Sequence, residues 1–375
     1  MKILIDIGHP AHVHFFKNII WNLEKNNHQV LVTTMDKEVS IGLLRSYKID
    51  HQVVGKKCNS KLGLILEWIK RDYKILMIAR KFNPDILMGI SNPCIAHSSW
   101  ILRKYSIIFD DTEHASFAHK ITYPFADVIC TPSSFKDDVG IKQIKYDGCH
   151  ELAYLHPNYF TPNPAVLEEM GLSRDDNIFM IRFAAFNASH DLHSENFKKE
   201  YVPSLIKKLE KHGKIIISSE KKLDGYLEKY RYNLSPDKYH DVLYYSKLYI
   251  GEGSTSAEEA AILGTPSLHF ERLNVNGKKS CVTPFIGILD ELQSNYGLLY
   301  SYCNEDELLD KVDVILSDIK SLKRKWAEKR DRLLREKINV TDFIVRLVEN
   351  YPESFDELKE NPKKQQNSCK ILEVM

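Results

Sequence analysis

No Cys-x-x-Cys pair occurs among the seven cysteines of this 375-residue chain, which stand at 58, 94, 130, 149, 281, 303 and 369. That scatter argues for reduced thiols and against a disulfide framework or a thiolate metal site. Charge of one sign is also lacking. The formal net charge is +1, so no bulk field draws the chain to nucleic acid or to a membrane. No apolar run approaches the ~20 residues that a membrane-spanning helix needs. The N-terminus carries one Lys, then Asp6, then three histidines, which does not read as a signal peptide. No short-period repeat is present. What remains is 43% hydrophobic and 27% charged residues, the make-up of a soluble globular protein, with a cytoplasmic location expected. The length implies two domains.

Hydrophobic patterning says which kind of domain. Lys2–Ile7 is a nearly continuous apolar run, as in a strand buried on both faces of a parallel sheet. A His-rich loop follows, then a helical pattern with Phe15, Phe16, Ile19, Ile20 and Leu23 on one face. Strand patterns recur at 29–34, 50–54, 85–90, 106–109 and 126–131, separated by helical patterns. Residues 147–165 hold Pro157, Pro162 and Pro164 among polar residues and read as a linker. A second alternating series then runs through strands at 177–183 and 214–219. The strongly basic helix 320–336 reads as a solvated face, with contact to a membrane surface as the lesser alternative. Residues 352–375 read as a loose tail. Strict strand–helix alternation argues for parallel sheets with right-handed crossovers, and ligands then bind beyond the carboxyl ends of the strands.

The most informative stretch is 249–270. An apolar strand end is followed by Gly251 and Gly253, three hydroxyl residues at 254–256, a short helix, then Gly264 and Pro266. A small-residue loop at a helix N-terminus suits an anion such as a diphosphate, and it equally suits an ordinary well-capped turn. Both Thr255-x-x-Glu258 and Ser256-x-x-Glu259 fit a capping box. In the first register Glu258 folds back on the cap and Glu259 is left for a ligand.

Several segments resemble a known family: 6–16 (Asp-Ile-Gly-His-Pro-Ala-His-Val-His-Phe-Phe), Asp111-Thr112-Glu113-His114-Ala115, Tyr123-Pro124-Phe125-Ala126-Asp127, His150-Glu151-Leu152-Ala153-Tyr154-Leu155, and 258–266. They are similar, over roughly residues 1–345, to an archaeal and bacterial family of unknown function, domain-of-unknown-function family 354. More distantly the chain resembles the GT-B superfamily. The nearest functional relatives there are the UDP-N-acetylglucosamine 2-epimerases and the transferase that adds N-acetylglucosamine to the lipid-linked peptidoglycan precursor. The resemblance implies an α/β, GT-B-like fold: two Rossmann-like parallel-sheet domains facing a cleft, with a C-terminal helix crossing back to the first. The expected division is 1–156 for the acceptor, 157–335 for the nucleotide sugar, 336–351 for the crossing helix and 352–375 for the tail.

The resemblance also assigns residues. Glu259, five before Gly264, matches the Glu that binds ribose hydroxyls in the relatives, and a carboxylate can accept two hydrogen bonds from a vicinal diol. Gly253, Ser254 and Thr255 match the diphosphate loop, and the same resemblance selects the register in which Thr255 caps the helix, Glu258 supports it and Glu259 faces the cleft. His12 matches the His of the transferase's Gly-His-Val element, and Glu113 resembles a catalytic Glu of the epimerases. Two departures weigh against epimerase chemistry. Nothing acidic stands in 115–120, and Asn187-Ala188-Ser189-His190-Asp191 replaces their His-Arg-Arg-Glu-Asn element.

Physical alternatives stand beside each assignment. The cluster His9, His12 and His14 near Asp6 admits a metal, a base or plain loop packing. Asp110, Asp111, Glu113 and His114 follow a strand end, where carboxylates suit acid–base work or simply cap a turn. Arg182 in an apolar strand either pairs with an acid (Asp191 or Glu252) or reaches an anion, as His190 could on the next loop. The polar segment 271–279 is either an ordinary loop or a flap over a nucleotide sugar. The resulting expectation is a metal-independent, cofactor-free glycosyltransferase acting in surface polysaccharide or glycoconjugate synthesis. Its catalytic candidates are His12, Asp111 and Glu113. Its nucleotide-sugar ligands would be Arg182, His190, Gly253, Ser254, Thr255 and Glu259. Its partners would be a nucleotide sugar and a sugar or lipid-linked acceptor. A sugar epimerase and a non-catalytic nucleotide-sugar sensor are the alternatives.

Overall fold

The computed structural model describes residues 1–56, 61–183, 194–195, 197–219, 222–223, 225–275 and 278–368. The chain opens β1 (Lys2–Ile7), α1 (Pro10–Lys25), β2 (Gln29–Asp36), α2 (Glu38–Ser46), β3 (His51–Lys56), α3 (Lys61–Phe82), β4 (Ile86–Ile90), α4 (Pro93–Leu102), β5 (Tyr105–Phe109), α5 (Ser116–Thr122), β6 (Val128–Pro132) and β7 (Gln143–Tyr146). It continues α6 (Leu152–Leu155), α7 (Ala165–Glu169), β8 (Ile178–Phe183), β9 (Ser194–Glu195), α8 (Val202–Glu210), β10 (Lys214–Ser219), α9 (Tyr239–Tyr245), β11 (Leu248–Gly251), α10 (Ser254–Ile262) and β12 (Ser267–Phe270). The last elements are β13 (Arg272–Val275), β14 (Lys278–Cys281), α11 (Gly287–Asp290), β15 (Leu299–Tyr302), α12 (Glu305–Ser317), α13 (Ile319–Glu336), α14 (Val340–Glu349) and α15 (Glu353–Glu360).

Two compact units result, Met1–Tyr159 with Lys337–Met375, and Phe160–Glu336. In the first, seven parallel strands lie in the order β3-β2-β1-β4-β5-β6-β7. The chain winds outward from β1 in both directions. Right-handed crossovers therefore put α1 and α2 on one face and α3, α4 and α5 on the other. The second face is packed by Leu4, Leu87, Ile108 and Ile129 of the sheet against Ile75, Ala79, Ile95 and Ala96 of α3 and α4. The second unit has a parallel sheet in the order β10-β8-β11-β12-β15.

Asp6, at the carboxyl end of β1, is fully buried. It accepts hydrogen bonds from Thr33 Oγ1 at 2.7 Å and Asn92 Nδ2 at 2.5 Å and pairs with the Arg71 guanidinium of α3. The aspartate considered beside a histidine cluster thus ties α3 and the α4 N-terminus to the sheet.

Two expectations, the linker and the loose tail, are corrected by the structure, and a third segment is given a definite form. Residues 147–165 are not wholly linker: β7 precedes them, and α6 is buried in the first unit, its Ala153 carbonyl accepting from Asn18 Nδ2 and Thr341 Oγ1 at 2.9 and 2.6 Å. The tail is ordered as helix through Ser368, where Lys359 Nζ reaches the Gln143 carbonyl at 3.2 Å and Gln365 Oε1 accepts from the Asp147 amide at 2.9 Å. Within 271–279, Arg272–Val275 forms an antiparallel hairpin with Lys278–Cys281. Arg272 anchors it by donating to the Cys303 carbonyl at 2.9 Å and pairing with Glu305 at 2.5 Å.

Replacing Arg71 by Met removes the cation that neutralises a fully buried carboxylate. We expect a loss of about 3–5 kcal/mol, read by urea unfolding, whereas a surface change such as Lys25→Met shifts stability by less than about 0.5 kcal/mol.

Candidate functional site

The first unit gathers its ionisable residues at the carboxyl ends of β1 and β5. Pro10 starts α1, and His9 caps it by accepting the Ala11 N–H on Nδ1 at 3.3 Å. This arrangement turns His12 back toward the strand end, where the Gly8 N–H approaches its Nδ1 at 3.4 Å. Lys37 Nζ donates to the Gly8 carbonyl at 2.9 Å. His12 is half-buried, and its pKa lies well below the ordinary 6.5. Burial is the main cause, reinforced by the positive neighbours His9, His150 and Lys37 and only partly offset by Asp111. His12 is therefore a neutral imidazole through the neutral pH range.

Beyond β5 the two aspartates divide their roles. Asp110 is fully buried, accepts from the Thr112 amide and the Tyr123 hydroxyl at 3.0 Å each, bonds Ser91 Oγ, and lies 3.2 Å from His119 Nε2. It organises the loop. Asp111 instead pairs with His150 Nδ1 at 2.7 Å. Burial would raise the Asp111 pKa, yet the His150 charge and hydrogen bond, with Thr112, bring it down to about 2. The same pairing outweighs burial at His150 and raises its pKa. His150 packs on Phe15 with ring centroids 4.5 Å apart. Glu113 is also buried and accepts the Lys136 amide at 3.3 Å. His14, in contrast, faces Tyr47 and Tyr154 at ring-centroid distances of 5.9 and 5.5 Å and belongs to the packing of α1. Among the described residues no cluster of three or more His, Cys, Asp or Glu could hold a metal ion.

In the second unit the loop after β11 is governed by two glycines. At Gly251 a Cβ would lie 3.0 Å from the Arg182 Cβ and run into the Tyr249 hydroxyl. Gly253 has φ +81°, and it is the N-cap of α10, which begins at Ser254. Among the described residues no side chain caps this helix, and neither capping-box register forms: Thr255 and Ser256 already lie inside the first turn. Its leading N–H groups have no intrahelical acceptor, and the residues that begin it, Gly253 to Thr255, are small and half-buried. Glu259 does not fold back onto Ser256. It is buried, with Oε1 at 2.9 Å from His240 Nε2 of α9. Glu252 accepts the Phe197 amide at 2.6 Å. Arg182, half-buried at the end of β8, donates to Ser218 Oγ at 3.3 Å and sits close enough to Tyr239 and Tyr249 to lower their pKa values against the larger upward effect of burial. His190, Asn187, Ser189 and Asp191 lie outside the described residues.

His12, Asp111 and Glu113 thus share one region of the first unit, and Arg182, Gly253, Ser254, Thr255 and Glu259 one region of the second. Two partners went unassigned in the sequence. His150 lay in a stretch read as linker, although its His-Glu-Leu-Ala-Tyr-Leu segment already carried the family resemblance. His240 follows a tyrosine in an unremarkable helical pattern, and no sequence signal distinguishes it.

Two units, each a parallel sheet wrapped by helices with polar loops at its strand ends, define the GT-B fold. The chain belongs to the family described as "Protein of unknown function (DUF354)", which matches residues 1–275. Uncharacterized protein MJ0665 of Methanocaldococcus jannaschii is 26% identical over 281 residues, covering 72% of this chain and 81% of that protein. Among solved structures, S. aureus MnaA with UDP superposes with a TM-score of 0.66 at 12% identity, covering 94% of this chain and 97% of that one. The spinosyn forosaminyltransferase SpnP superposes with a TM-score of 0.60 at 14% identity, covering 93% and 98%.

Asp111→Asn removes the charge that raises the His150 pKa, so that pKa falls, as a histidine NMR titration reads directly. The stability contributed by the Asp111 carboxylate is present above its ordinary pKa of 3.8 and is lost as pH drops toward about 2. The stability gap between the parent and Asp111→Asn therefore narrows across that window. A constant gap would mean that the Asp111–His150 pair does not form.

Proposed function

We propose that this protein is a metal-independent glycosyltransferase that uses a nucleotide sugar as donor. The observation that carries the reading is the N-terminus of α10 behind Gly253, whose first-turn N–H groups have no intrahelical acceptor and whose positive dipole end suits a diphosphate. MnaA, on the same fold, is a complex with UDP. Ser254 and Thr255 would add hydroxyl donors, Arg182 a cation, and Glu259, oriented by His240, would accept from the ribose hydroxyls. The acceptor would bind the first unit. There neutral His12 takes the proton of an acceptor hydroxyl as its oxygen attacks the anomeric carbon. The bond from that carbon to the diphosphate breaks, and the nucleoside diphosphate leaves with the electron pair, its charge met by the α10 N–H groups. Asp111 is a poor base at a pKa of about 2. Its role is to hold His150, and the pair presents a fixed, nearly neutral dipole beside His12. Glu113 favours a second reading, a C2 epimerase, because a buried carboxylate stands where the resemblance places an epimerase catalytic acid.

The test is calorimetry with UDP-, GDP-, CDP- and dTDP-sugars, followed by turnover with sugar and polyprenyl-linked acceptors. We expect one donor to bind, Glu259→Gln to weaken it by about tenfold or more (about 1.4 kcal/mol), and nucleoside diphosphate to appear only when an acceptor is added. His12→Gln should keep donor binding and lower kcat by roughly 10²–10⁴-fold. Because the His12 pKa is depressed, parent activity should persist as pH falls through 6.5 and fail only in more acid solution. Formation of a C2 epimer without acceptor, followed by NMR, would establish the second reading instead. Failure of every nucleotide sugar to bind overturns both.

A further inference from the structure

Helix α3 is apolar on two opposite faces. Ile75 and Ala79 are buried against the first sheet. Leu66, Ile69, Tyr73 and Met77 are 57%, 57%, 63% and 43% exposed. At ~100° per residue these four fall within a sector of about 80°, on the side of the helix away from Ile75 and Ala79. Folding of this chain therefore does not account for that stripe. The neighbouring helices of the same layer continue the pattern, with Trp100 of α4 63% and Phe117 of α5 72% exposed. Seven of the sixteen exposed large apolar side chains among the described residues lie on α3, α4 and α5. Scattered exposed apolar residues need no explanation, but a concentration of this kind marks an interaction surface.

The charges identify the partner. Lys70, Lys74 and Lys81 form an exposed ridge along the edge of the apolar stripe, and Arg80 closes its end. Arg103 and Lys120 are exposed on the adjoining α4–β5 turn and α5. The nearby acids are engaged: Glu67 pairs with Lys70 at 2.9 Å and Asp72 with His97 at 2.8 Å. A second copy meeting this face would bring the lysines of both copies to one interface, where like charges repel. An anionic lipid surface complements all the features together, since aliphatic, Tyr and Trp side chains enter the headgroup boundary while lysines meet the phosphates. We propose that the outer face of α3, continued by α4 and α5, docks the protein peripherally on an anionic membrane. This surface is separate from the basic helix α13, where Lys323 donates to Thr265 Oγ1 at 2.9 Å and Arg332 pairs with Glu336 at 2.9 Å. No helix among the described residues is long and apolar enough to cross a membrane, so the attachment is to one surface.

The test is co-sedimentation of the full chain with vesicles of equal parts phosphatidylglycerol and phosphatidylcholine, against vesicles of phosphatidylcholine alone. The parent should bind the anionic vesicles and release them in high salt. Ile69→Glu/Tyr73→Glu and Lys70→Glu/Lys74→Glu should each weaken binding by about tenfold or more, with circular dichroism unchanged because all four positions are exposed. Absence of binding to anionic vesicles overturns the proposal. So does binding that ignores both variants. A dimer in light scattering that Ile69→Glu/Tyr73→Glu dissociates, without vesicle binding, would assign the face to a second copy of the chain.

Discussion

A parallel sheet cannot be closed by short hairpins. Each strand needs a crossover, and every crossover returns the chain to the same edge. That constraint brings all the strand carboxyl ends of a sheet together, and with them the loops that leave those ends. In the first unit it places the loop after β1 beside the loop after β5, more than a hundred residues along the chain. In the second it places the end of β8 beside the turn after β11. The apolar strands produce this convergence without any side chain being chosen for chemistry. The polar residues at the strand ends then inherit the position.

The two units use that position differently. The first relies on ionisable side chains whose charges are set by one another. Asp111 stays an anion because His150 faces it, His150 is shifted toward its protonated form for the same reason, and His12 is shifted toward its neutral form because it is buried among positive neighbours. The second relies on backbone. Gly253 turns the chain into α10 without a capping side chain, so the helix end itself is the charged feature. Its carboxylates are already engaged, Glu259 with His240 and Glu252 with the Phe197 amide. One unit thus offers tuned proton chemistry, and the other offers a fixed dipole suited to an anion.

The architecture was legible in the sequence because buried parallel strands are apolar on both faces, and runs such as Lys2–Ile7 and Asp85–Ile90 can be little else. β7 was not legible: Gln143–Tyr146 is short and alternates apolar residues with Gln and Lys, so the stretch after it resembled a linker and concealed His150. The helices after Pro352 were missed because Phe355 and Leu358 offer too few apolar positions to announce one, and only the β7 edge beside them reveals the partner. Ser254, Thr255 and Ser256 suggested a side-chain cap, whereas Gly253, with positive φ, takes the N-cap position and starts the helix earlier, since glycine can hold that position without a side-chain bond. Pairings such as Asp111–His150 and His240–Glu259 join residues 39 and 19 positions apart and follow from topology, not from spacing.

The central claim is that the N-terminus of α10 receives a nucleoside diphosphate. The most direct measurement is a transverse-relaxation-optimised NMR titration of the amide-labelled chain with UDP, GDP, CDP and dTDP. The account predicts that one of them saturably shifts the backbone amides of Gly253, Ser254, Thr255 and Ser256, together with the Glu259–His240 pair. If all four leave those amides unmoved, or if the shifts lie wholly in another part of the chain, the account is contradicted.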